Sequence, residues 1–175
     1  MEIQSMETDR LLIRRVLAED WESIKEIWQK VGETEYAQYD IPHDTKNSVV
    51  QKRIERWAST CDSSEHMFFS VCLKDEIIGY IDMHRKDYGY EIGYCFHTDY
   101  YRKGYAKESI SALLDCAEEQ GVHYFKAGTA INNIPSVRLL NSLGFKLTGT
   151  EQVSFYKDSE GNNIYFEGGI FEREE

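Results

Sequence analysis

Proline is scarce in this chain, two residues in 175, and twelve glycines are spread along it, which excludes a collagenous or linker-like polypeptide. No run approaches the roughly 18 apolar residues that span a bilayer. The opening Met1–Glu7 has neither a basic start nor an apolar core of the secretory kind, so the expected compartment is the cytoplasm, with no membrane partner. Basic charge is in deficit: 20 Lys and Arg stand against 31 Asp and Glu, a net charge of −11. A phosphate polyanion needs a cationic face, so nucleic acid is not an expected partner. The same acidity suits cationic small molecules or basic protein termini, or simply serves solubility. The four cysteines, Cys61, Cys72, Cys95 and Cys116, form no C-x-x-C pair, and there is no H-E-x-x-H, so no metal site is expected. Also missing are Gly-Lys-Ser/Thr, which removes a Walker A loop, and G-x-G-x-x-G, which removes a Rossmann dinucleotide site.

What is present is one domain's length of patterned sequence, 41% hydrophobic and 29% charged, enough to bury a core without disulfides. Apolar periodicity runs throughout, so residues 1–175 read as a single domain. Thr8 to Val16 suits a first strand, with Leu11 and Ile13 on one face. Trp21, Ile24, Ile27, Trp28 and Val31 make one helical stripe, and Val49, Val50, Ile54 and Trp57 make a second after a loop over 32–45. The runs 67–73, 77–83 and 90–96 form an antiparallel meander. A helix carrying Ala106, Ile110, Leu113, Leu114 and Ala117 follows, with Gly121 as its stop, then a strand over 123–130 and a short helix over 134–142. Two strands, about 145–156 and 163–171, close the chain. The order βαα, βββ, αβ, αββ predicts an α/β (α+β) fold with a mixed sheet of about seven strands and about four helices.

Three segments carry chemistry. Tyr101-Arg102-Lys103-Gly104-Tyr105-Ala106 joins a strand to an amphipathic helix. Unpaired N–H groups and the positive end of a helix accept phosphate, Gly104 lets it approach, and Arg102 and Lys103 add charge; an ordinary glycine turn would read the same way. In the preceding strand Tyr90, Ile92, Tyr94 and Phe96 share a bulky face, while Glu91, Gly93, Cys95 and His97 share the other. Glu91, a lone carboxylate among small residues, fits a desolvated general base with a raised pKa, or a solvated outer position. In Asn132-Asn133-Ile134-Pro135-Ser136, leading to Leu143-Gly144-Phe145, Asn133 or Ser136 can cap the short helix.

Taken in order, these segments and the opening Glu7-Thr8-Asp9-Arg10-Leu11-Leu12-Ile13-Arg14 resemble the Gcn5-related N-acetyltransferase (GNAT) superfamily, in particular its RimJ/RimL-like ribosomal-protein branch. The superfamily's pyrophosphate loop usually opens on Gln or Arg; Tyr101 here is the aromatic usual in that branch. The resemblance implies a mostly antiparallel sheet splayed between its fourth and fifth strands. It implies acetyl-CoA as co-substrate, bound by the loop Tyr101 to Lys107 with its diphosphate on the N–H groups of about 102–107, and pantetheine beside Phe96, His97 and Thr98. It implies direct acetyl transfer to an amine, either a small amine or a protein N-terminus. The implied roles are Glu91 as base, Ser136 as proton donor to the CoA thiolate and Asn133 as orienting group. Tyr94, Tyr101 and Tyr105 are alternative donors, and the acidic and aromatic residues of the loop (Glu33, Glu35, Tyr36, Tyr39, Asp40) either receive the cationic amine or form a solvated loop. A non-catalytic acyl-CoA-binding module is the competing reading. An exposed terminal strand would also allow pairing into a homodimer.

Overall fold

Alternation in the central strands gives the sheet two buried faces. Met67, Phe69 and Val71 of β3 (His66–Leu73), Ile81 and Met83 of β4 (Glu76–Lys86), and Tyr90, Ile92 and Phe96 of β5 (Gly89–Phe96) pack on one side. There they meet Ile110, Leu113, Leu114 and Ala117 of α3 (Tyr105–Glu118) and Leu140 of α4 (Ile134–Ser142). The other side buries Tyr80 and Cys95 under Ile24, Ile27 and Trp28 of α1 (Trp21–Gly32) and Val50 and Ile54 of α2 (Asn47–Ala58). Helices α1 and α3 present the apolar stripes their spacing predicts, α2 does so through Val50, Ile54 and Trp57 but not Val49, and the sheet is the middle layer.

The structure is a computed structural model that describes residues 2–174. Among the described residues the sheet has eight strands in the order β1-β2-β3-β4-β5-β6-β8-β7. The others are β1 (Ser5–Glu7), β2 (Leu12–Arg15), β6 (Tyr124–Ala130), β7 (Lys146–Lys157) and β8 (Asn163–Glu174). The strand beyond the expected seven is β1, which pairs Met6 with Ile13 of β2. At three residues it is too short for alternation to register in the sequence. Thr8, Asp9 and Arg10, read as the start of a strand, form the turn between β1 and β2. The chain's last strand is interior, held by β6 and β7, so the sheet's edges are β1 and β7.

Strands β5 and β6 are parallel, and the other neighbouring strands are antiparallel. Among the described residues this parallel ladder consists of Tyr90↔Phe125 and Glu91↔Lys126. Beyond it residues 92–96 and 127–130 remain extended without pairing to each other. The sheet therefore opens between β5 and β6, the fourth and fifth strands when β1 is left out of the count.

Candidate active site

The opening is framed at one end by the loop into α3. Phe96 lies over Gly79, where an added Cβ would come within 2.3 Å of its ring. The buried His97 donates its backbone N–H to Ile78 O at 2.8 Å, and its Nδ1 accepts from Asp99 N at 3.2 Å. A short 3-10 turn, Thr98–Tyr100, then delivers the chain to Tyr101. Arg102 (φ 59°) and Gly104 (φ 84°) are both left-handed, which doubles the chain back so that α3 starts at Tyr105. Alternating backbone handedness turns successive N–H groups into one concavity, and the first-turn amides of α3 have no acceptor within their helix. Arg102, Lys103 and Lys107 are exposed around it, with Tyr105 and Ala106 half-buried beneath. This cradle fits a diphosphate.

A carboxylate in the first turn, Glu108, would repel that anion, and it is occupied. Thr8 Oγ1 donates to Glu108 Oε1 at 2.6 Å, and Arg10 Nε donates to Oε2 at 2.7 Å. Arg10 also donates to Lys103 O at 3.1 Å and lies over the Tyr105 ring at 4.5 Å. Partial burial opposes ionisation of Glu108, but the hydrogen bonds from Thr8 and Arg10 outweigh it and hold the carboxyl below its usual value. The sequence reading placed Thr8 and Arg10 in a strand and missed this role; their one signal was their place in the motif Glu7–Arg14.

Farther along the opening, Tyr94 Oη and Ser136 Oγ lie 2.8 Å apart, one on β5 and the other in the first turn of α4. Burial pushes the Tyr94 phenol up to about 12, and the Ser136 hydrogen bond only partly offsets it. The two residues weighed as alternative donors are thus partners. Asn133 is the N-cap of α4, its Oδ1 accepting from Ser136 N at 3.4 Å, so it aims the serine's turn. Tyr101, raised to about 12 by burial and then by Cys95 and Asp40, lies at the loop.

Glu91, Gly93 and Cys95 face the α1/α2 side, as alternation requires. Glu91 occupies the last closed pair of the β5–β6 ladder, its side chain 40% exposed and its carboxylate 3.1 Å from Lys86 Nζ. Cross-strand register adds neighbours that one strand's pattern does not reveal: Tyr80 stands opposite Cys95, Asp82 opposite Gly93, and His84 opposite Glu91. Burial, joined by the charges of Asp40 and Asp82, pushes the Cys95 thiol up to about 12.

The segment after α1 closes over this face. Its 3-10 turn, Glu35–Tyr39, is anchored to the β7–β8 hairpin: Tyr156 Oη donates to Ala37 O at 3.1 Å, and Tyr39 meets Phe166 edge-on at 5.4 Å. At its far end His43 stacks on Trp28 at 4.3 Å. Tyr36 and Asp40 lie on this strap, with Glu33 and Glu35 at its start.

A sheet parted at one parallel pair, with a helix start beside the gap, is the arrangement the sequence resemblance implied. The chain belongs to the GNAT acetyltransferases: residues 10–146 match the Acetyltransferase (GNAT) domain. It is 30% identical over 166 residues to the uncharacterized N-acetyltransferase YnaD of Bacillus subtilis, covering 91% of this chain and 92% of that one. It shares its fold with RimL, a ribosomal L7/L12 α-N-protein acetyltransferase solved in complex with coenzyme A (TM-score 0.82, 15% identity, 98% of each chain). It also shares it with the microcin C7 self-immunity acetyltransferase MccE, solved with acetyl-CoA and AMP (TM-score 0.81, 17% identity, 96% of this chain and 94% of that one).

Proposed function

We propose that residues 1–175 act as one N-acetyltransferase domain that moves an acetyl group directly from acetyl-CoA to a primary amine, either a protein N-terminal α-amine or a small-molecule amine. The observation that carries this reading is the Tyr94–Ser136 hydroxyl pair at the open end of β5. A thiolate leaving there needs a proton, and a pair of hydroxyls can supply one.

The diphosphate of acetyl-CoA rests on the backbone of Tyr101 to Lys107, with the pantetheine along Phe96, His97 and Thr98. N–H groups on the unpaired edge of β5 stabilise the oxyanion that develops on the acetyl carbonyl. Asn133 holds Ser136 toward the sulfur. The amine enters from the α1/α2 face beneath the 33–46 strap, where the carboxylates favour a cation. A carboxylate on that face takes its proton, Glu91 being the residue expected from the strand pattern. Direct transfer is favoured over a thioester on the enzyme, because a Cys95 thiol raised to about 12 holds almost no thiolate at neutral pH. RimL, named as an α-N-protein acetyltransferase, supports a protein N-terminus as acceptor, and MccE, solved with acetyl-CoA, supports the co-substrate.

The test is thiol release from acetyl-CoA in a panel of peptides with free N-termini and linear polyamines. Amine-dependent release with a mass shift of one acetyl group is expected. Tight acetyl-CoA binding without release across the panel would establish the binding-module reading instead.

A further inference from the structure

On the α1/α2 face, three side chains from two strands form a continuous line. Asp82 Oδ1 lies 3.1 Å from His84 Nε2, and His84 Nδ1 lies 2.9 Å from His66 Nδ1. Exposure rises along it: the Asp82 side chain is 19% exposed, His84 31%, and His66 is open to solvent. Asp82 stands opposite Gly93, and a Cβ at Gly93 would come within 2.6 Å of Oδ1. The missing side chain thus admits the carboxylate onto β5. Gly93 lies beyond the last closed β5–β6 pair, whereas Glu91 lies within it and is tied to Lys86. Phe68, stacked on Trp57 at 4.5 Å and edge-on to His84 at 5.4 Å, walls the line on the α2 side.

We infer that Asp82, His84 and His66 form a proton exit from the acceptor amine to solvent, with Asp82 rather than Glu91 as first acceptor. This rests on acetyl transfer to an amine at this site. An ammonium acceptor has three protons and its amide product one. One proton leaves with the CoA sulfur, as the N–C bond forms and the C–S bond breaks; the other must reach bulk water. Asp82 accepts it and passes it to His84 Nε2, as His84 Nδ1–H moves to His66 Nδ1 and His66 Nε2–H is released. The Nδ1–Nδ1 contact suits this, since one ring must donate and the other accept. The other charged groups around the line are Lys86 of β4, Glu91 of β5 and Lys126 of β6, which stands opposite Glu91. The Arg85–Glu65 pair at 3.6 Å flanks His66, and Asp40 of the strap acts on the neighbouring Tyr80, as Asp82 does.

The test is kcat/KM against pH for wild type, Asp82→Asn, His84→Gln, His66→Gln, Glu91→Gln and Gly93→Ala, using the panel amine with the highest wild-type turnover. Asp82→Asn should lose about a hundred-fold near neutral pH, the scale of a lost general base. The loss should shrink as pH rises past the amine's own pKa. Gly93→Ala, which keeps every titrating group but displaces the carboxylate, should show the same pH-dependent loss. Added imidazole should restore His84→Gln and His66→Gln, a response no purely structural defect gives. Calorimetric acetyl-CoA affinity and melting temperature identify variants that fold. Wild-type-shaped pH profiles with no imidazole rescue, or a loss confined to Glu91→Gln, would overturn the relay while leaving acetyl transfer in place. A wild type without amine-dependent thiol release would overturn both.

Discussion

The hydroxyls of Tyr94 and Ser136, 42 residues apart in sequence, meet at 2.8 Å and link the open end of β5 to the helix that follows β6. Two hydroxyls in contact consume one O–H between them and leave the second free to donate to a third atom. With the phenol held at about 12 by burial, that proton stays in place at any ordinary pH. The pair therefore suits the proposed role of protonated donor rather than that of a base.

Tyr94→Phe and Ser136→Ala should each lower kcat by about 10- to 100-fold while leaving acetyl-CoA affinity within about two-fold. Because the hydroxyls act as a unit, the double variant should lose little more than the worse single one. Steady-state kinetics beside calorimetry decides this. Loss of affinity in step with kcat would make the pair part of the binding surface instead.

Gly104 is left-handed, and an added Cβ would sit 3.3 Å from Arg10 Nη2. Gly104→Asp combines backbone strain of about 1 kcal/mol or more with an anion at the proposed diphosphate cradle, and should weaken acetyl-CoA by well over ten-fold. Arg10→Ala acts more gently: it frees Glu108 to repel the diphosphate. It should weaken binding several-fold, and Arg10→Ala/Glu108→Gln should recover most of the loss. Failure of that rescue would remove charge neutralisation as the reason for Arg10.

What the sequence revealed follows from the range of each interaction. Stripes such as Trp21–Ile24–Ile27–Trp28 and alternation such as Tyr90–Ile92–Tyr94–Phe96 are local, and they placed helices and strand faces correctly. The turn into α3 was legible because Gly104 and its flanking cations are adjacent. Arg10 and Glu108 are 98 residues apart, and nothing in either segment announces the other. Asp82 escaped notice for a related reason: its place opposite Gly93 depends on the register of two strands, while the Glu91 pattern is visible within one. The sequence likewise offered a solitary carboxylate at Glu91, and the fold gives it Lys86 and His84 as neighbours.

The strap over the proposed acceptor face should respond to pH through His43. Burial, with Arg53 adding to it and Asp40 opposing, holds this imidazole below its ordinary value. A depressed histidine gives stability that is present above the unfolded pKa, about 6.5, and is lost as pH falls through that value toward the folded one. Protection of residues 40–46 against hydrogen exchange, taken relative to the intrinsic rate at each pH, should thus fall below about pH 6. His43→Phe, which keeps a ring for Trp28, should remove that dependence. An unchanged response in the variant would assign the opening to other groups.

Acid should also reach the α1/α2 layer through Asp20. Its carboxylate is buried and takes two hydrogen bonds from Arg14, both at 2.8 Å, one from Ser70 at 2.7 Å and one from Leu17 N at 2.9 Å. Burial opposes the charge, but these donors prevail and hold the acid below its usual range. Stability from a depressed carboxylate is complete above the unfolded pKa, about 3.9, and falls away below it as the folded group protonates. The melting temperature should drop between about pH 4 and pH 2. Asp20→Asn should flatten that limb and cost about 3 kcal/mol at pH 7, since it leaves the part-buried Arg14 guanidinium without its anion. Ser70→Ala removes one donor of four and should cost about 1 kcal/mol. Thermal melts of the three proteins across that pH range test the assignment, and an acid limb of equal steepness in Asp20→Asn would place the titrating group elsewhere.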